Sequence, residues 1–304
     1  MKTKRNLTKV LTATALITAA LFAACKKDDG QSSSMTQAEQ QEFATNSSQS
    51  DAENDAVFDD VFNNVVGVNS EVGVGGTGIF ARSAMPPVNG KETGEDSTAG
   101  FIVSVTQISE ASRFPLKVVI DFGAGWTGKD GRIRKGKIII VYSGRLILPG
   151  SSAATTFDGY YLDSIHVEGT HKATNTSTQD KRSFSIEVTG AKLSKPNGNY
   201  STWNSQKTIT QSAGLTTPLD LSDDVFAVTG KGDGSVKKGD KAYQWSAAIT
   251  EPLVKKFTCR WISKGSITIQ HNTTIVGVLD YGTGQCDRKA TLTVNGVVIE
   301  ITLD

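Results

Sequence analysis

Histidine and cysteine are scarce in this chain, three of each in 304 residues. Neither a Cys-x-x-Cys pair, a His-Glu-x-x-His helix nor a Gly-x-Ser-x-Gly elbow occurs, so the local spacings of zinc sites and of α/β-hydrolase nucleophiles are missing. A dominant charge is also missing: 32 Lys and Arg against 31 Asp and Glu leave a net charge of +1. That excludes the basic footprint of a nucleic-acid binder and the bulk field of an enzyme for acidic substrates. Proline is rare at 7 residues while glycine reaches 30, a balance that suits uninterrupted strands joined by tight turns. The apolar run from Val10 to Ala24 falls short of the ~20 residues a membrane-spanning helix needs.

That short run follows Lys2, Lys4, Arg5 and Lys9, the cationic-then-apolar order of an export signal. Ala23 and Ala24 stand directly before Cys25. This resembles the lipobox of bacterial lipoproteins, with Phe22 in place of the usual Leu. The resemblance implies removal of residues 1–24 and lipidation of Cys25. Several acyl chains at about 0.8 kcal/mol per buried methylene would hold the protein on a membrane almost permanently. Lys26-Lys27-Asp28-Asp29 resembles the export tag that follows the lipidated cysteine in surface lipoproteins of the Bacteroidota; the plainer reading is a polar tether. With Cys25 committed, Cys259 and Cys286 remain outside the cytosol. There they can form a disulfide, closing a loop that adds roughly 3 to 4 kcal/mol, or remain two packed thiols.

Composition then divides the chain. Residues 25–50 are rich in Gln, Ser, Asp and Lys and are expected to be a flexible tether. Over 51–67 the sequence predicts a short amphipathic helix: Ser50 and Glu53 make a capping-box pattern, and Ala52, Ala56, Val57, Val61 and Val65 recur at helical spacing, with Phe58 and Phe62 widening the stripe. Residues 68–97 read as a Gly-rich linker. Gly73-Val74-Gly75-Gly76-Thr77-Gly78 fits a dinucleotide-binding string, but no amphipathic helix follows it, so it reads as a joint rather than a phosphate site.

From residue 98 to 304 the apolar period is two. Phe101, Val103 and Val105 alternate, as do Phe184, Ile186 and Val188, then Tyr243, Trp245, Ala247 and Ile249, then Val297, Ile299, Ile301 and Leu303. Asp130-Gly131, Asn197-Gly198, Asp233-Gly234 and Asn295-Gly296 supply turn chemistry. The expected fold is all-β, an antiparallel meander closing into a barrel, half-barrel or sandwich, with the helix before it. Two echoes run through it: Ile120–Trp126 matches Leu279–Cys286, and Thr127–Gly131 matches Thr229–Gly234. Each reads as a strand ending in a glycine turn; carboxylates there could also serve Ca²⁺, though without the dense acidic ligands of a calcium loop. The basic residues that follow, Arg134-Lys135 and Lys237-Lys238, read as solvated turns or as phosphate contacts.

Candidate site residues are few. His166 and His171 lie five apart in an expected strand, hence on opposite faces, and His271 has no sequence-local partner. Asp158 and Asp163 differ in parity, so a carboxylate pair on one strand is not indicated. Trp245 and Trp261 sit among alternating apolar residues and read as core. Trp203, in Tyr200-Ser201-Thr202-Trp203-Asn204, has polar neighbours and is the expected exposed platform for a ligand. No cofactor or metal is implied.

Taken whole, the polar tether, the helix and a β domain carrying Asp121-Phe122-Gly123 and Asp280-Tyr281-Gly282-x-Gly284-x-Cys286-Asp287 resemble a loosely defined group of Bacteroidota lipoproteins. The resemblance brings no activity with it. It implies an outer-membrane protein anchored through Cys25 and exposed at the cell surface. Three functions are expected of such a chain: a noncatalytic module binding extracellular glycan or protein, a carrier with an apolar cavity for lipid or a small ligand, or a glycan-active hydrolase with a cross-strand carboxylate pair.

Overall fold

In the computed structural model, which describes residues 35–66, 100–217, 222–259 and 261–303, a single helix lies against one large antiparallel sheet. The helix α1 spans Gln37–Val66. The strands are β1 (Ile102–Gln107), β2 (Leu116–Asp121), β3 (Trp126–Thr127), β4 (Ile133–Tyr142), β5 (Ser152–Leu162), β6 (Ile165–Asn175) and β7 (Ser183–Ser194). They continue with β8 (Tyr200–Ala213), β9 (Val225–Lys238), β10 (Lys241–Lys256), β11 (Ile262–His271), β12 (Thr274–Thr283), β13 (Lys289–Val294) and β14 (Val297–Thr302). Each strand pairs with the next in sequence except that β2 pairs β4, with β3 set aside on β4. β1 and β14 do not pair, so the sheet remains open and the expected meander is not a closed barrel.

Alternation along the strands produces the buried face. Val118 and Ile120 of β2, Ile138 and Ile140 of β4, and Ile267 and Ile269 of β11 point inward with almost no exposure. Register shifts in β5, β6, β7, β10 and β11 add the extra residues that let long strands bend. The sheet curls far enough that Thr302 and Leu303, at its last strand, share a hollow with Tyr200 and Lys237 of β8 and β9.

Into this curl the helix settles, touching β5, β6 and β8 to β13. It is longer than the spacing predicts: residues 37–50, expected as tether, are helical, and Ser50 lies inside the helix rather than at its N-cap. Two features account for this. The stretch contains no Gly or Pro and is built largely of Gln, Glu and Ala, which cost little in a helix. It also docks: Phe43 packs edge-on against Tyr243 and His271 at centroid separations of 5.9 and 4.9 Å, and Ala44 lies over Gly277, where an added Cβ would come within 3.1 Å of it. Tertiary contact stabilises a segment whose own hydrophobic pattern is weak. The signal residues, Cys25 and the 68–97 stretch lie outside the described residues.

Charge completes the docking. The helix carries Glu39, Glu42, Asp51, Glu53, Asp55, Asp59 and Asp60 and no Lys or Arg. The sheet supplies the counterions: Lys241 to Glu42 at 2.6 Å, Lys195 to Glu53 at 2.7 Å, Lys255 to Asp59 at 2.8 Å, Lys207 to Asp55, and Arg134 to Asp60. The exposed pairs contribute ~0–1 kcal/mol each. Arg134 differs. It is 1% exposed and also binds Asp130 at 2.7 Å, so the basic residue expected in a solvated turn is an internal strut between helix and sheet.

Cys259 and Cys286 form a disulfide with Cα atoms 5.7 Å apart, tying the loop after β10 to the loop after β12. The first echo has a local cause, whereas the second joins a turn at Thr127–Gly131 to a stretch, Thr229–Gly234, that lies within β9. Asp121 accepts a hydrogen bond from the Gly123 amide at 2.9 Å, and Asp280 accepts one from the Gly282 amide at 2.7 Å. Asp130 and Asp287 likewise accept from the amides of Arg132 and Lys289 at 3.0 and 2.9 Å. These are Asx-type turns, in which an Asp side chain accepts from a backbone amide two residues on.

Candidate functional site

Trp203 is not a surface platform. It is 2% exposed and stands at the centre of the buried face. Its polar sequence neighbours follow from alternation, with Thr202 and Asn204 on the outer side of β8. The indole Nε1 donates to Asp51 of the helix at 3.0 Å. Across the sheet Trp203 pairs with Gly234, which in turn pairs with Trp245. A Cβ on Gly234 would sit 2.9 Å from the Trp245 ring, and one on Gly232 would sit 2.9 Å from the Trp203 nitrogen. Asp233-Gly234 is therefore no turn; the glycines lie within β9 and make room for two indoles.

Next to Trp203 the helix and the sheet do not close completely. Phe58, Phe62 and Val66 of α1 face Ile186 and Val188 of β7, Ile209 of β8 and Phe226 and Val228 of β9 across a cavity of about 200 Å³. Phe184, Phe257 and Ile262 carry the apolar lining to the sheet rim, where Phe257 is 37% exposed. Three of these positions, Phe184, Ile186 and Val188, belong to the period-two pattern, and Phe58 and Phe62 to the helical one. What the periods could not show is that the two sets meet around empty space.

Two ion pairs stand in the wall. Asp55 and Asp59, one turn apart on α1, hold Lys207 and Lys255. Burial disfavours the Lys207 ammonium, yet Asp55 and Asp51 outweigh it and hold its pKa above the ordinary value. The same ammonium lies 5.3 Å over the Trp203 ring. Asp51 is pushed upward chiefly by burial, with Lys207 opposing. Asp55 and Asp59 are thus engaged by cations, and Asp224, the third carboxylate of the lining, by the Gln211 amide, rather than two carboxylates being paired around a water, the arrangement a glycoside hydrolase uses.

Behind the cavity His171 is 1% exposed, with its ring stacked on Phe58 at 6.3 Å and tilted against Phe62 at 6.2 Å. Neither ring nitrogen has a hydrogen-bond partner. Burial pushes its pKa down to about 4, against a smaller upward pull from Asp59, so the imidazole is a neutral part of the aromatic wall. His166, on the other face of β6, stacks on Tyr161 at 4.7 Å. The two histidines do not converge, and among the described residues no three His, Cys, Asp or Glu side chains come together as a metal site. Trp245 is buried, as the alternation predicts, while Trp261 is half-buried. No helix among the described residues is long and apolar enough to cross a membrane. No protein-family model, curated protein or solved structure matches this chain.

Proposed function

We propose that this chain is an envelope lipoprotein, anchored to the outer membrane through Cys25 and displayed at the cell surface, whose β domain binds a small apolar ligand without transforming it. The observation that carries this reading is the cavity between α1 and strands β7 to β11, walled mainly by carbon, with the Asp55–Lys207 and Asp59–Lys255 charges neutralised as pairs. Apolar concavities with a few fixed polar groups are the usual form of a ligand site. Among the functions expected from the sequence, the carrier is favoured. The glycan platform loses its candidate, because Trp203 is committed to Asp51 and the core.

Mass spectrometry of lipid extracts from the full-length protein, purified from its native envelope, tests the reading. An apolar compound should accompany the wild type in near-equal amount and be lost from Val188→Trp, whose added bulk fills the cavity. Circular dichroism and unfolding curves establish that the variant is folded. Recovery of no such compound from the wild type, or equal recovery from both proteins, would refute the proposal.

A further inference from the structure

At one rim of the sheet the hairpins β5–β6, β9–β10, β11–β12 and β13–β14 turn through two residues each, and β7–β8 through five. Their corners are polar, with Asp163, Asn272 and Asn295 at φ of 58°, 55° and 49°. At the other rim the loops after β4, β8 and β10 expose Ile147, Leu148, Leu215 and Phe257. The apolar cavity opens at this second rim.

Arg182 stands where the rim meets the cavity. It immediately precedes β7, is half-buried, and lines both the cavity and a shallower outer hollow shared with Ile147 and Leu215. The other charges in the cavity wall have partners: Lys207 with Asp55, Lys255 with Asp59, and Asp224, which accepts from Gln211 Nε2 at 2.6 Å. No hydrogen bond or ion pair engages the Arg182 side chain among the described residues. A guanidinium held against apolar walls has its donor fork free for a bidentate anion, carboxylate or phosphate.

We infer that the ligand is a single-chain amphiphile with an anionic head, its hydrocarbon tail in the cavity and its head on Arg182. This deepens the function proposed above and rests on it. The cavity's size fits one chain rather than two: about 200 Å³ holds roughly seven methylenes if each takes about the ~30 Å³ of a water molecule. The remainder of the chain would run out between Ile147 and Leu215 in the outer hollow.

Fluorescence titration of the full chain with a long-chain polyene carboxylate and with its methyl ester reads both claims. The acid should bind more tightly than the ester, and Arg182→Met should weaken the acid by about tenfold or more, the worth of a charged hydrogen bond, while leaving the ester unchanged. Val188→Trp should abolish both. Competition by dodecyl phosphate and dodecanoate then identifies the head, the better competitor naming it as phosphate or carboxylate. If both probes bind and Val188→Trp removes them but Arg182→Met changes nothing, the anionic head is refuted and the apolar site stands. If neither probe binds the folded wild type, the apolar site fails and this inference with it. A thermal unfolding curve for Arg182→Met separates lost binding from lost fold.

Discussion

Acidification from about pH 7.5 to about pH 4 should weaken the helix-to-sheet core through one imidazole. In the folded protein His171 is enclosed by Phe58 and Phe62 and titrates near 4, whereas an exposed histidine titrates near 6.5. Between those values the unfolded chain binds a proton that the folded chain refuses. Stability therefore rises with pH across this window, is complete above 6.5, and is lost as the pH falls toward 4. The difference corresponds to about 3 kcal/mol at ~1.4 kcal/mol per pH unit. Asp51 works the other way: burial raises its pKa, so the folded state keeps that proton to higher pH than the unfolded state, and its stabilising share is lost as pH rises through the raised value. His171→Leu separates the two, because it removes the imidazole and leaves Asp51 in place. Urea unfolding at several pH values should show the wild type losing about 3 kcal/mol more than the variant between pH 6.5 and 4, with equal m-values. Near neutral pH the variant should differ by less than ~1.5 kcal/mol, since it trades two unpartnered ring nitrogens for an apolar side chain. Parallel pH profiles for the two proteins would refute the reasoning.

Three further outcomes are expected. Replacing Cys259 and Cys286 together by serine, which opens a loop spanning 27 positions, should cost about 3 to 4 kcal/mol in denaturant unfolding on the chain-entropy relation; no shift in the midpoint would contradict it. Arg134→Met should cost about 3 to 5 kcal/mol because Asp60 is left half-enclosed without its cation, and adding Asp60→Leu should recover most of the loss; a double variant as unstable as the single would count against that origin. Cys25→Ser should move the protein from the membrane pellet to the soluble fraction of lysed cells, and equal retention in the pellet would refute lipid anchoring at that residue.

Much of the architecture was legible because it depends on periods. Alternation over Val103, Val105, Phe184, Ile186 and Val188 marks a face, and that face is the one buried. Asn197-Gly198 and Asn295-Gly296 mark corners, and the chain turns there. Where context overrides the local pattern, the reading departs from the structure. Asp233-Gly234 has the chemistry of a turn but lies in β9, because Trp203 and Trp245 on the flanking strands fill the space a side chain would need. The polar neighbours of Trp203 suggest exposure, yet in a strand they describe only the opposite face. The first half of α1 has too few apolar residues to announce itself, and its burial of Ser47, Ser48 and Ser50 is decided by the sheet it meets.

What residue order alone established, then, is a one-sided antiparallel sheet with a helix before it, since each follows from spacing within a short stretch of chain. The cavity, the buried Arg134 strut and Arg182 at the cavity mouth, unpaired among the described residues, belong to the tertiary structure. They arise only where strands far apart in sequence curl around the helix, and no local period records how closely two apolar surfaces will approach.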